Sequence, residues 1–208
     1  NMGTMLAFIT TDAVIESPVL QSLLQKVVDE TFNNVTVDGD TSTNDMVLVM
    51  ASELADHESL TESHPDWEAF VLAFKKTCEY LAKQIARDGE GATKLVEVKV
   101  EGAKNDQDAR KVAKTIVGSS LVKTAIYGAD ANWGRIIAAI GYSGVEIDPH
   151  TIDLAIGPIQ LLKQSEPVDF SEEEATDYLK KDTIYLSVHL HEGKGKAKAW
   201  IAIIEYVF

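Results

Sequence analysis

Five histidines, one cysteine, an aspartate-rich loop and a glycine–lysine run are the residues of this 208-residue sequence whose types alone could do chemistry. His189 and His191 lie two apart in an alternating stretch, so they share one face of a strand and could offer a metal two imidazole ligands. No third ligand follows at a diagnostic spacing, and His57, His64 and His150 form no His-x-x-x-His pair. The shared face is also the polar one, so these histidines read as exposed and no metal site is expected. Residues 38–45, Asp-Gly-Asp-Thr-Ser-Thr-Asn-Asp, approach a calcium loop, but that pattern wants Gly where Thr43 stands and Glu where Val49 stands. A hydrogen-bonded Asx turn is the better reading. Gly193-Lys194-Gly195-Lys196 lacks both the Walker spacing and the Ser/Thr after the lysine, and reads as a solvated basic turn. Cys78 falls on the apolar stripe of a helix, which predicts a buried thiol rather than a nucleophile. By pattern alone no catalytic constellation stands out.

The elements that must position these residues follow from periodicity. Residues 5–11 are short and apolar, as a buried strand is; Ser17-Pro18 reads as an N-cap and first helical residue ahead of Val19, Leu20, Leu23, Leu24, Val27 and Val28. After the 38–45 turn comes an apolar run at 46–50. The longest helix is predicted over 65–87, with Trp67, Phe70, Val71, Phe74, Cys78, Leu81 and Ile85 as its stripe and Asp88-Gly89 as its stop. Strands are predicted at 94–101 and 121–126, and helices at 106–117 and 133–140. Segments 151–156 and 159–162 flank Gly157-Pro158 as a hairpin, Ser171 and Glu174 form a capping box, and 183–191 alternates. Strands interleave with amphipathic helices, and most strands carry one apolar face. That tally predicts an α/β (α+β) layered sandwich.

Composition narrows the function classes. With no linker, repeat or low-complexity tract, residues 1–208 read as a single unit, and 45% hydrophobic content is enough for a core. Asp plus Glu outnumber Lys plus Arg by 33 to 19, a net charge of -14, which argues against nucleic-acid and membrane-surface partners. No apolar run reaches the ~18 residues of a membrane helix. One cysteine and no signal peptide point to a cytoplasmic chain, and a start at Asn1 points to a fragment or processed product.

Six ordered blocks carry a further signal. They are Asn1-Met2-Gly3-Thr4-Met5-Leu6 followed by Thr10-Thr11-Asp12-Ala13; residues 38–45; Asp88-Gly89-Glu90-Gly91-Ala92-Thr93-Lys94; Ser120-Leu121-Val122-Lys123-Thr124-Ala125; Gly128-Ala129-Asp130-Ala131-Asn132-Trp133-Gly134-Arg135; and Gly195-Lys196-Ala197-Lys198-Ala199-Trp200. Together they cover nearly the whole chain, which resembles the bifunctional ornithine acetyltransferase/glutamate N-acetyltransferase family of arginine biosynthesis. The resemblance implies a precursor that cuts itself before a threonine and leaves an α and a β chain together. Residues 1–3 then match the α-chain tail, Gly3-Thr4 the cleavage site, and 4–208 the β chain. The implied fold is that of ornithine acetyltransferases and N-terminal-threonine aminopeptidases.

The roles below are what that resemblance implies. Thr4 is the nucleophile. A threonine hydroxyl is weak until a base takes its proton, and cleavage would free an α-amine that titrates near neutrality and can act as that base. Glu90 matches the glutamate that contacts the substrate's amino-acid portion, where a carboxylate suits an ammonium. Thr4 and Glu90 are therefore the implied substrate-binding residues here. Gly3 stands where many members have Ala. The family's oxyanion pair lies upstream of Asn1. Past Trp200 the chain reads Ile-Ala-Ile-Ile-Glu-Tyr-Val-Phe where the family has a Gly-Cys-Asp-type strand, an atypical end.

The implied activity is acetyl transfer from N-acetylornithine to glutamate through an acetyl-threonine ester, with no metal or resident cofactor and acetyl-CoA as a co-substrate in some members. The implied assembly is a heterotetramer of two α and two β chains. Two alternatives are a threonine-nucleophile aminopeptidase or amidase with water as acceptor, and an inactive truncated remnant. The 88–94 block favours the acetyltransferase. The chain by itself is expected to be inactive and to expose an apolar face.

Overall fold

The computed structural model describes residues 5–37, 39 and 42–204. Along the chain run β1 (Leu6–Thr11), α1 (Ser17–Glu30), β2 (Val35–Thr36), β3 (Met46–Ala51), α2 (Trp67–Arg87), β4 (Ala92–Ala103), α3 (Asp106–Gly118), α4 (Ser120–Tyr127) and α5 (Trp133–Gly141). They are followed by β5 (Asp153–Ile156), β6 (Ile159–Lys163), β7 (Glu166–Pro167), α6 (Glu172–Leu179), β8 (Thr183–His189) and β9 (Gly195–Ile204). A mixed sheet in the order β2-β9-β4-β8-β5-β6-β7 forms the middle layer, and β1 pairs with β3 in a separate two-stranded parallel sheet. This is the layered α/β sandwich that the periodicity predicts.

The centre of the molecule is the antiparallel pair β4–β9, in register from Lys94↔Ile203 to Glu101↔Lys196. Its strands are buried on both faces, unlike the one-faced strands expected. Val96, Val98 and Val100, with Ala199, Ile201 and Ile203, pack against Val112, Ala113 and Ile116 of α3. On the opposite face Leu95 and Trp200 join Phe74, Cys78, Ala82 and Ala86 of α2, and beyond them Leu23 and Val27 of α1 and Ala7 and Ile9 of β1. A strand with helices on both sides reads as nearly continuous apolar sequence, as Leu95–Val100 does except for Glu97 and Lys99.

The structure corrects four local expectations. Residues 121–126 are not a strand but the body of α4, where Val122, Ala125 and Ile126 point inward and Ser119 Oγ accepts the Val122 N–H at 3.3 Å. A short apolar run fits both periods, and here the cap and the spacing of three and four residues select the helix. Ser17 is the first helical residue of α1 rather than its cap; Glu16 holds the cap position, its carbonyl accepting from Val19 and Leu20. Thr151 does not join a strand, because its hydroxyl donates to the Leu190 carbonyl at 3.1 Å and β5 starts at Asp153. Gly195 is not part of a solvated turn: it is buried at the start of β9, where a Cβ would sit 2.2 Å from the Asn105 carbonyl.

The hairpin of β5 and β6 is antiparallel, as expected, and Gly157 at φ +55° lies against the Tyr178 ring. Ser171 caps α6 by accepting from the Glu174 N–H at 3.2 Å. β8 alternates inward and outward up to His189; His191, at φ +59°, has already left the strand.

Candidate active site

The expected nucleophile Thr4, the cleavage pair Gly3-Thr4 and residues Asp38, Asp40 and Thr41 lie outside the described residues. What the structure shows is the ground around them. The Met5 N–H donates to Asp45 Oδ1 at 2.9 Å, and the Met46 N–H donates to the Met5 carbonyl at 2.8 Å. The far end of the 38–45 loop is thereby tied to the residue next to Thr4. Within the loop, Gly39 adopts φ +94° and the Asn44 N–H donates to Ser42 Oγ at 3.1 Å, the side-chain-held turn that Asn, Asp and Ser favour. A cleft of about 370 Å³ opens beside Met5 and Asp45, with Gln21, Gln25, Asp29 and Asn33 among its walls.

Glu90 stands exposed on the turn between α2 and β4. Two glycines shape that turn. Gly91 takes φ +72°, and Gly89 lies so close to Val37 that a Cβ there would come 3.2 Å from its methyl. The loop beginning at Val37 therefore touches the Glu90 turn at one end and holds Met5 at the other. β4 begins beside the end of β9, with Ala92 opposite Ile204 and the Thr93 hydroxyl donating to the Ile203 carbonyl at 3.0 Å. Lys94 turns inward, donating to the Leu179 carbonyl at 2.7 Å and the Ile126 carbonyl at 3.4 Å, and burial lowers its pKa. It ties the C-terminal ends of α6 and α4 to the first turn of β4.

The remaining motif blocks hold shape. Asn132 caps α5, accepting from the Arg135 N–H at 3.2 Å and donating to Asp130 Oδ2 at 3.1 Å. Arg135 reaches back to α4, donating to the Leu121 carbonyl at 3.2 Å and to the Thr124 hydroxyl at 2.9 Å. A buried network that sequence reasoning missed explains the 195–200 block. The Trp200 indole donates to Glu97 Oε2 at 2.9 Å, Lys83 Nζ lies 2.7 Å from the same oxygen, and Lys198 Nζ lies 3.3 Å from Oε1. Glu79 bridges the two lysines at 2.8 and 3.1 Å. Burial on its own would raise the Glu97 carboxyl, but hydrogen bonds from Lys83 and Trp200 and the charges of Lys198 and Lys83 leave it lowered. An acid interrupting the apolar run that starts at Leu95 was the available signal.

The histidines hold structure. His57 accepts the Val14 N–H on Nε2 at 3.2 Å while its Nδ1 lies 2.6 Å from the Glu58 carbonyl. The rings of His189 and His191 lie 3.9 Å apart between centres, tilted by 53°, and His191 Nε2 lies 2.8 Å from Asp153 Oδ2. Among the described residues no three His, Cys, Asp or Glu side chains converge as a metal site. His64 and His189 are half-buried rather than exposed. Cys78 is fully buried, as expected, and burial pushes its thiol up to about 11.

A layered α/β sandwich with one loop joining the start of β1 to a glycine-flanked glutamate turn defines a class of chain, and comparison with known proteins gives that class a family. The model of the ArgJ family matches residues 1–207, and the chain belongs to that family. It is 65% identical over 206 residues to the arginine biosynthesis bifunctional protein ArgJ of Geobacillus kaustophilus, a match covering 99% of this chain and 50% of that protein. The protein of the same name from Halalkalibacterium halodurans is 66% identical over 207 residues, covering 99% of this chain and 50% of the relative. The chain thus spans about half the length of the curated relatives it matches. A crystal structure of the arginine biosynthesis bifunctional protein argJ from Bacillus halodurans superposes with a TM-score of 0.95 at 66% identity, covering 98% of this chain and 96% of that one. Among the described residues no helix is long and apolar enough to cross a membrane.

Proposed function

We propose that this chain is the nucleophile-bearing half of a two-chain acetyltransferase of arginine biosynthesis, working in the cytoplasm. The observation that carries the reading is the 37–45 loop, which connects the Glu90 turn to the backbone beside Thr4, on a chain of the ArgJ family. Relatives named as bifunctional arginine-biosynthesis proteins, twice the length of this chain, support the two-chain form.

In the proposed reaction the precursor is cut between Gly3 and Thr4, which frees the Thr4 amine. That amine takes the proton of the Thr4 hydroxyl while the hydroxyl oxygen attacks the acetyl carbon of N-acetylornithine. The carbon–nitrogen bond breaks, the amine returns its proton to the leaving nitrogen, and ornithine departs. The amine of glutamate then attacks the acetyl-threonine ester; the carbon–oxygen bond breaks and the Thr4 hydroxyl is restored. Glu90 supplies a carboxylate for the substrate's ammonium. No resident metal or cofactor takes part, and acetyl-CoA serves as an alternative acetyl donor in the same ester-forming step. The proposed assembly is two α and two β chains.

Incubating the cleaved two-chain protein with N-acetylornithine labelled in its acetyl group tests the scheme. The expected result is label on the peptide that begins at Thr4, discharged by glutamate far faster than by water. Label on another residue, or discharge that ignores glutamate, rejects it.

A further inference from the structure

Another cleft, of about 410 Å³, opens between α2, the second half of β4, the first half of β9 and the start of α3. Its size falls within the roughly 300–1,000 Å³ of small-molecule sites. It lies away from the Glu90 turn: Lys99, in its wall, stands seven residues of strand along β4 from Ala92, about 23 Å.

Charge sets this cleft apart. In a chain of net charge -14, five of the 19 Lys and Arg side chains line it: Lys75, Lys99, Lys196, Lys198 and Arg110. Three are matched, since Lys75 pairs with Glu30, Lys99 with Glu101 at 2.7 Å and Lys198 with Glu79 at 3.1 Å. Among the described residues Arg110 and Lys196 have no ion-pair partner. The strand register sharpens the imbalance. Lys99 stands directly opposite Lys198, and like charges so placed weaken a sheet. An anion in the cleft relieves both.

Two atoms in the same walls are left open. Arg110 Nε is a buried donor without an acceptor. Asn34, 2% exposed in the turn ahead of β2, has its Oδ1 without a donor. Buried polar atoms are nearly always satisfied, so each of these asks for a partner that the chain does not supply. One wants an acceptor and the other a donor, and a plain anion answers only the first.

We infer that this cleft binds a free dicarboxylic amino acid, with one carboxylate at Arg110, the other at Lys196 and the ammonium at Asn34 Oδ1. The charges balance: two unpaired cations meet two carboxylates, and the ammonium takes the neutral acceptor. A guanidinium suits this role because it grips a carboxylate through two parallel N–H···O bonds. The Lys196 backbone is already fixed, its N–H donating to Asp106 Oδ1 at 2.8 Å beside α3. Glutamate is also the acceptor in the proposed reaction, but Glu90 is not among these walls, so the readout has to be local.

Amine acylation of the full-length protein, followed residue by residue by mass spectrometry, provides that readout. Lys194 is exposed and outside the cleft, so the ratio of Lys196 to Lys194 labelling corrects for reagent consumed by the ligand's own amine. At about ten times the Kd taken from titration of that ratio, L-glutamate should slow Lys196 about tenfold relative to Lys194, as mass action requires. Glutarate, which lacks the ammonium, should bind about 10- to 100-fold more weakly and protect about twofold or less at the same concentration. Inorganic phosphate should behave as glutarate does. An Arg110→Met protein with an unchanged melting temperature should lose the protection by glutamate. Equal protection by glutarate or phosphate overturns the amino-acid class. No protection by glutamate in wild type, protection that survives in Arg110→Met, or a Lys196 that fails to react even without ligand overturns the site.

Discussion

Replacing Glu97 by alanine would leave Lys83 and Lys198 beside a buried indole with only Glu79 to share. Lys83 and Lys198 keep 27% and 38% of their surface in water, which screens the stranded charge, so about 1–2 kcal/mol of stability should be lost in urea denaturation. Its pH dependence has a definite sign. Glu97 and Glu79 are held below the usual carboxylate range, so their contribution is present above that range and lost as pH falls through the lowered values. Lys83 and Lys198 are raised, so theirs is full below the ordinary lysine value and lost as pH rises through the raised ones. A Glu97→Gln variant should therefore show a flatter acid limb than wild type in stability measured against pH. Glu90 is the residue whose loss should show in catalysis rather than folding. It is exposed, so Glu90→Ala should leave the melting temperature alone while raising KM for N-acetylornithine about 10- to 100-fold, the worth of one hydrogen bond to a charged group.

Among the elements, the close approach of β9 to the start of α3 is the tightest constraint. A Cβ on Gly195 would meet the Asn105 carbonyl carbon and oxygen at 2.2 Å, backbone atoms of the residue that caps α3. Gly195→Ala should cost about 3 kcal/mol or more in chemical denaturation, the upper range for an overpacked site. Gly118→Ala is the matched opposite: nothing lies within 4 Å of its Cβ position at the end of α3, and a gain of about 0.5–1 kcal/mol is expected. Much of this layer was legible from local pattern. The α2 stripe, the β8 alternation, the Ser171 cap and the turn at Gly157 are decided by neighbours in sequence. What escaped was decided by distant partners. Residues 121–126 satisfy both a strand and a helix pattern until their contacts with α3 and α5 are known. Glu97 looks like an interruption until Trp200, 103 residues away, supplies its donor. The glycines beside Glu90 mark its turn in the sequence, but the link from Asp45 to Met5 spans 40 residues and no local rule reveals it.

At the scale of the molecule, two large cores lie back to back among the described residues, one between the central sheet and α3–α5, the other between that sheet, α1–α2 and β1–β3, with a small third cluster of Ala13, Ile15, Leu20 and Leu60 beside α1. The second carries the exposed outer face of β1–β3. On the two-chain reading proposed above, the chain expressed by itself should bind a hydrophobic dye and sediment as aggregates, and co-expression with the proposed other half should abolish both signals. The sequence also contains its own timepiece for the second core. Cys78 is the one cysteine, it has no exposed surface, and burial pushes its thiol up to about 11, so a thiol reagent finds neither access nor thiolate while that core is shut. Each labelled molecule is therefore one that has opened between α2 and its neighbours. The rate at which an excess of reagent marks the protein counts those openings, and it should quicken in Phe74→Ala, which removes a neighbour of Cys78 from the same core.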